Sequence, residues 1–327
     1  MKRTTATRPL LWPLVPAYRL GLALRDLELR TGLKPIRCLR WPVVSIGNLS
    51  AGGAGKTPLT IALAKALSAR GLHVDVLSRG YGRQRSALPA LVDIGGRAED
   101  FGDEPLVIAR EAHVPVLVAA DRYQAGLLAE RSAPSSLGVH LLDDGFQHRQ
   151  LARDIDILLI SRRDLADHLL PAGNLRETLR AALRAQVIAI PADEPDVETR
   201  LKSTGWQGIV WRIRRRMQIP QLDGPVAAFC GIARPDQFFE GLESAGLKLA
   251  ARTAFADHHN YTADELARIE SEARSAGARA LLTTEKDRIR LGSLVATLPI
   301  QSVPLRIEIE DEKAAIDWLV HSLRDPA

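Results

Sequence analysis

The sequence predicts a doubly wound parallel α/β sheet followed by a second, smaller α/β domain. Three observations carry this reading. Short β-branched apolar runs alternate with helical stretches through residues 41–190, the pattern of repeated βαβ units. A glycine-rich segment joins the first of these runs to the first helix after it. The alternation breaks near 192–208, where Pro, Asp and Gly interrupt, and resumes at Val226. A chain of 327 residues suits about two domains of roughly 100–200 residues each.

The elements follow in order. Val43–Ile46 is β-branched and reads as a buried strand. Residues 47–55 are glycine-rich, and a helix runs from about Lys56 to Arg70, stopped by Gly71. His73–Ser78, Val114–Ala119, Val139–Leu142, Ile155–Ile160 and Val187–Ile190 are further strands. Leu106–Ala112, Arg122–Glu130 and Leu175–Ala185 are the intervening helices. Ile209–Arg216 alternates like an exposed ribbon strand, and 300–309 reads as one late strand able to pair with it. Together they form a β-ribbon hinge, 209–216 with 300–309, between a core at 41–208 and a smaller domain at 217–327. That domain holds a strand at Val226–Cys230, helices near 235–245 and 263–276, a strand at Ala280–Thr283 and a last helix near 312–323.

Composition excludes several classes. Hydrophobic residues make up 46% and charged residues 25%, ordinary for a folded core and too apolar for a disordered chain. Aromatics are only 5%, too few for base-stacking platforms. Two cysteines far apart, Cys38 and Cys230, cannot make a disulfide scaffold or a cysteine-based zinc module. The net charge is +5, but residues 1–40 hold nine basic side chains against two acidic ones. The body of the chain is therefore slightly acidic, and the basic character belongs to the N-terminal arm. Such an arm suits a polyanionic surface.

The arm is also apolar. Trp12 sits in a Pro- and Leu-rich stretch, and Leu20, Leu24 and Leu27 recur at helical spacing. Arg8 and Arg19 bracket too few uncharged residues for a spanning helix, which needs about 20. Two readings stay open: an amphipathic helix lying on anionic lipid, or a helix packed on its own domain. Nucleic acid is disfavoured, because no nucleic-acid fold signature accompanies the charge.

Residues 50–57, SAGGAGKT, stand between a strand and a helix, which is the context a phosphate-binding loop requires. Gly52, Gly53, Ala54 and Gly55 would let backbone N–H groups approach phosphate oxygens, Lys56 would reach the β- and γ-phosphates, and the Thr57 hydroxyl would ligate Mg²⁺. The loop has Ser50 where the general pattern has Gly. Asp143 and Asp144 end an apolar strand, and either can sit near the metal. Asp103-Glu104 and Asp257-His258-His259 are candidates for proton transfer, since a carboxylate oriented by imidazole can accept a hydroxyl proton. Arg79, Arg83 and Arg122 are candidate anion clamps.

Taken together these segments resemble the tetraacyldisaccharide 4′-kinase family of lipid A synthesis. The matching pieces are SIGNLSAGGAGKTP (45–58), SRGYGR (78–83), GDEP (102–105), DDGFQH (143–148), PAGNLRE (171–177), FADHHNY (255–261) and TTEKD (283–287), in order across almost the whole chain. The family's loop reads GNxxxGGxGKTP, which accounts for Ser50. The resemblance implies an ATP- and Mg²⁺-dependent P-loop kinase that phosphorylates the 4′-hydroxyl of a tetraacylated disaccharide 1-phosphate, giving lipid IVA. It implies peripheral attachment at the cytoplasmic face of the inner membrane, with the membrane-embedded lipid A precursor and anionic lipid as partners, and no obligate protein partner. By the same resemblance Asp103 with His258 would be the base, and Asp143, Asp144 and Glu104 would lie near Mg²⁺. Arg79, Tyr81, Arg122, Gln147, Arg176 and Glu177 would line the phosphate or substrate region. The chain departs from the family at PAGNLRET, where Pro is expected near Asn174 and Thr178. Two other readings compete: a P-loop kinase for a soluble metabolite, and a partner-stimulated nucleotide switch.

Overall fold

The computed structural model describes residues 8–53, 55–83, 88–132, 138–222, 224–294 and 296–324. Thirteen strands form two sheets. They are β1 (Val43–Asn48), β2 (His73–Ser78), β3 (Ala90–Leu91), β4 (Val116–Val118), β5 (Gly138–Asp143), β6 (Ile155–Leu159), β7 (Val187–Pro191), β8 (Ile209–Met217), β9 (Val226–Cys230), β10 (Leu249–Ala254), β11 (Ala280–Thr284), β12 (Ile300–Val303) and β13 (Leu305–Ile309). The larger sheet has the order β13-β8-β7-β6-β1-β5-β2-β4-β3, and the smaller one β10-β9-β11-β12. The larger sheet is parallel except where β3 meets β4 and β13 meets β8, and the smaller sheet is wholly parallel.

This bears out the doubly wound reading. β1 is the point where strand order reverses: β5, β2 and β4 lie to one side of it and β6, β7 and β8 to the other. Ligands bind beyond the carboxyl ends of strands at such a point. Both β1 and β5 are buried along their whole length and, apart from Ser45 and His140, run apolar until their last residues. Where they emerge they turn polar, β1 at Asn48 and β5 at Asp143. Helices Lys56–Ser68 and Asp103–Ala112 cover one face through Leu59, Leu63, Leu67, Leu106 and Ile108. The opposite face is closed by Leu158, Ile188, Ile190, Leu201 and Trp206.

Several elements differ from the sequence reading. Residues 300–309 are two strands, not one. β12 pairs with β11 in the smaller sheet, while β13 pairs antiparallel with β8 in the larger. Pro304 separates them and has no N–H to continue a ladder. β8 also pairs parallel with β7, so it is an integral strand of the larger sheet as well as a partner of β13. The helix expected at 175–185 is a short 3₁₀ turn, Leu179–Arg184. Its first residues are used elsewhere: Arg176 N–H donates to Leu49 O, and Asn174 O accepts from Ala51 N–H. Residues 192–208 carry a helix, Pro195–Lys202, that opens on a proline at its start, where proline's missing N–H costs nothing. β10 escapes the reading because Leu-Ala-Ala-Arg-Thr-Ala is weakly β-forming and lies on a sheet edge.

The N-terminal segment is a 3₁₀ turn, Pro9–Leu14, followed by a helix, Val15–Arg30. Val15, Tyr18 and Leu22 pack on the body. The Tyr18 hydroxyl donates to Arg176 O at 2.9 Å, and Arg25 and Asp26 pair with Glu177 and Arg149. Leu20, Leu24 and Leu27 face outward, each more than half exposed. Lys2 and Arg3 of the basic arm lie outside the described residues. Among the described residues, no helix is long and apolar enough to cross a membrane.

Candidate active site

The glycine loop follows β1 and turns into the Lys56–Ser68 helix through Gly55, which has φ 92° and caps it. Gly52 and Gly53 also have positive φ, 81° and 44°. Side chains resist that conformation. Ala54 lies outside the described residues. Asn48, wholly buried at the end of β1, organises the loop. Its Nδ2 donates to Ser50 O at 2.7 Å and Ser50 Oγ at 3.1 Å, and its Oδ1 accepts from Lys56 Nζ at 3.0 Å. Thr57 is buried in the first turn of the helix.

Asp143 and Asp144 emerge from β5 beside this loop. Gly47 permits the approach, because a Cβ there would stand 2.4 Å from Phe146 Cβ. Asp143 accepts from Thr60 Oγ1 at 3.1 Å. Burial, Glu104 and Asp144 push its carboxyl up to about 7. Asp144 differs. Burial alone would raise it, but Lys56, Arg176 and Arg122 outweigh burial and hold it below the ordinary carboxylate value. Lys56 Nζ lies 3.5 Å from Asp144 Oδ1, and Arg176 Nη1 donates to both Asp144 oxygens at 3.0 Å. Arg176 also donates to Gln147 Oε1 at 3.3 Å, and Gln147 Nε2 donates to Asn48 O at 3.0 Å.

Arg122 is buried nearby, its Nε without a partner, and its pKa falls to about 10 through burial and the like charge of Arg79. His148 of the DDGFQH segment falls to about 4 through burial and Arg122, so it is neutral at physiological pH. Glu177 is set apart from these groups. It is buried between Arg184, at 2.9 Å, and Arg25, at 3.4 Å, and ties the N-terminal helix to the body.

Asp103 and Glu104 open the Asp103–Ala112 helix, where carboxylates suit the helix dipole. Asp103 is buried and faces the smaller unit. His258 Nδ1 lies 3.6 Å from Asp103 Oδ1, and the Tyr81 ring lies 5.0 Å from the imidazole. Burial would raise Asp103, but His258, Arg290 and Lys286 together hold it well below the usual carboxylate range. The Asp103 carboxylate in turn raises the imidazole above its ordinary value despite partial burial.

Sequence reasoning missed the two cations that complete this pair. Arg290 bonds Asp103 through Nη2, which also lies 3.1 Å from His258 Nδ1. Lys286 bonds Glu104. Both stand on the Glu285–Leu291 helix of the smaller unit, one turn apart. The signal was in the TTEKD segment, which contains Lys286 and ends one turn before Arg290. Asp287 anchors that helix. It accepts from Tyr261 OH at 3.0 Å, Thr284 OH at 2.6 Å and Gly231 N–H at 3.1 Å.

The arrangement can hold a polyphosphate at the loop and a cation beside it. Among the described residues no group of three or more His, Cys, Asp or Glu could hold a metal alone. Thr57, Asp143, Asp144 and Glu104 are the oxygen-bearing side chains that would hold such a cation. The raised Asp143 carboxyl marks a surplus of negative charge that a bound cation would relieve.

Comparison with known proteins identifies the family. The family model described as "Tetraacyldisaccharide-1-P 4′-kinase" matches residues 7–324. The tetraacyldisaccharide 4′-kinase of Koribacter versatilis is 42% identical over 319 residues, covering 94% of this chain and 97% of the relative. The protein of the same name from Geobacter metallireducens is 39% identical over 317 residues, covering 90% and 92%. The crystal structure of Aquifex aeolicus LpxK in complex with ATP superposes with a TM-score of 0.75 at 32% identity, covering 96% of this chain and 98% of that one. With its glycine loop, its acidic strand end and its Asp103–His258 pair in place, this chain belongs to the tetraacyldisaccharide 4′-kinase family.

Proposed function

We infer that this protein is an ATP-dependent kinase that transfers the γ-phosphate to the 4′-hydroxyl of tetraacyldisaccharide 1-phosphate, giving lipid IVA. The observation that carries the chemistry is the convergence of the glycine loop, Asp143-Asp144 and Asp103–His258 at the carboxyl ends of β1 and β5. A nucleotide switch needs the first two and has no use for the third.

The residues divide the work. Lys56, parked between Asn48 and Asp144, is free to turn to the phosphates when they arrive. Thr57 and the carboxylates of Asp143, Asp144 and Glu104 would hold Mg²⁺, directly or through water. The metal would neutralise charge on the phosphates and align them. Asp103 and His258 take the proton of the acceptor hydroxyl as its oxygen bonds to the γ-phosphorus and ADP leaves. Arg79, Arg122 and Arg176 with Gln147 line the anionic end, and Tyr81 stands at its mouth beside His258. The smaller unit reaches the site through the ion pairs Arg290–Asp103 and Lys286–Glu104 and through the His258 ring against Tyr81. We read β8 with β13, the strands from which the chain crosses to the smaller unit, as the hinge on which it closes.

The test is transfer of labelled γ-phosphate from MgATP to purified tetraacyldisaccharide 1-phosphate in mixed micelles, wild type beside Lys56→Ala. Label should enter the lipid with wild type and fall by about 10²-fold or more with the variant, the usual worth of a lost phosphate donor. Nucleotide binding without lipid labelling would remove the acceptor assignment.

An acceptor with four acyl chains stays in its bilayer, so the enzyme comes to it. The N-terminal helix supports peripheral attachment at the cytoplasmic face of the inner membrane. Leu20, Leu24 and Leu27 point outward beside Arg19 and Arg30, and Leu10, Trp12 and Leu14 extend the apolar surface. One such contact gives marginal, reversible binding. Replacing Leu20, Leu24 and Leu27 by Ser should abolish flotation with anionic vesicles and leave the thermal midpoint unchanged, since none of the three packs on the body. Undiminished flotation would refute the assignment.

A further inference from the structure

The smaller unit sends one more cation to the glycine loop. After β9 the chain runs Gly231-Ile232-Ala233-Arg234 into the helix Pro235–Ser244. A Cβ at Gly52 would stand 2.9 Å from Ala233 Cβ. A Cβ at Gly53 would stand 3.0 Å from Arg234 Cδ and 3.3 Å from its Nε. The arginine stem therefore lies against the two loop residues just ahead of the Gly55-Lys56-Thr57 turn. In a phosphate loop this stretch flanks the terminal phosphates.

The segment is held by the same groups that build the Asp103–His258 pair. Gly231 O accepts from Arg290 Nη1 at 2.6 Å and from His258 N–H at 3.1 Å, and Gly231 N–H donates to Asp287. The position of Arg234 and the assembly of the base are thus coupled through three residues. Arg234 is half-buried, and among the described residues no hydrogen bond or ion pair ends on its guanidinium. Burial and the like charges of Arg163 and Arg215 pull its pKa below the ordinary arginine value, and Asp164 and Asp167 compensate in part. A half-buried cation against a phosphate loop, without a counter-ion in contact, is matched to an anion that arrives with the nucleotide.

We propose that Arg234 is an arginine finger supplied in cis by the smaller unit, donating to the γ-phosphoryl oxygens of a nucleotide seated on the glycine loop. This rests on the kinase reading. In the transfer step the bond from the γ-phosphorus to the β,γ-bridging oxygen breaks and the bond to the acceptor oxygen forms. The acceptor's proton passes to Asp103–His258. Arg234 changes no bond and stabilises the charge spread over the equatorial oxygens.

The probes are MgADP alone and MgADP with aluminium fluoride, a mimic of the phosphoryl group in flight, each titrated into wild type, Arg234→Ala and Arg234→Lys. For Arg234→Ala, MgADP affinity should be unchanged, while affinity for the aluminium fluoride complex falls by about 10²-fold or more. Single-turnover transfer should fall by about 10³-fold, the lower end for such a finger. Arg234→Lys keeps the charge and the stem and should recover part of both losses. Equal loss of affinity for the two probes, or no loss for either, would overturn the proposal. Lipid phosphorylation by Arg234→Ala at the wild-type rate would overturn it too and leave the kinase reading standing. Aluminium fluoride binding that depends on Arg234, in a protein that never labels the lipid, would keep the finger and remove the acceptor.

Discussion

Replacing Asp103 by alanine should cut kcat by about 10²–10⁴, and replacing His258 should do the same, the usual worth of general-base catalysis. The double variant should lose little more than either single one. The two groups form one charge-paired unit, 3.6 Å apart, and removal of either leaves the acceptor's proton without a destination. Fully additive losses would show two independent roles. The pH profile offers a second readout. The pair must be free to take a proton, so kcat/KM should fall as pH drops through the apparent pKa of the pair. The Asp103 carboxylate beside it raises His258 above its ordinary value. Asp103→Asn removes the charge and should move the acidic limb of the residual activity to lower pH. An unmoved limb would separate His258 from the step.

The outline of the larger sheet is legible because its strands are buried on both faces. Val187–Ile190 is an unbroken apolar run, and Val43–Ile46 and Ile155–Ile160 are broken only by Ser45 and Asp156, as burial on both faces favours. The glycine loop is legible because backbone conformation and phosphate chemistry both demand those residue types. What was hidden depends on pairing over long separations. Leu249–Ala254 becomes a strand only because β9 offers it an edge. Residues 174–176 give up helical structure because the glycine loop takes their backbone groups. Glu177 reads as a site residue beside Arg176, yet it turns the other way, toward Arg184 and Arg25. Lys286, Arg290 and Arg234 look like ordinary surface charges until the fold sets the smaller unit against the larger one. No local pattern says that Arg290 will lie against a carboxylate 187 residues away.

Arg290 is accordingly where the largest effect on stability should fall. Its side chain and that of Asp103 are each almost wholly buried, at 3% and 4% exposure. Removing one partner of such a pair strands the other charge, at a cost of roughly 3–5 kcal/mol. Arg290→Met keeps much of the side-chain volume and should destabilise the protein by about that amount at pH 7, read from urea unfolding midpoints. The pH dependence identifies the cause. Asp103 is held below its unfolded value, so its pairing contributes stability above the ordinary carboxylate range and loses that contribution as pH falls. In Arg290→Met the carboxyl keeps its burial and loses its main counter-charge, so it is driven to bind a proton instead. The gap between wild type and variant should therefore be widest at neutral pH and narrow below about pH 4. A constant gap would mean that Arg290 acts by packing alone. Arg290→Lys should recover part of the stability. It should not restore turnover, because one ammonium cannot reach Asp103, Asp287 and Gly231 O together as the guanidinium does. Such a split between recovered stability and lost rate would show that the smaller unit does more than close over the nucleotide. It sets the geometry of the proton acceptor itself.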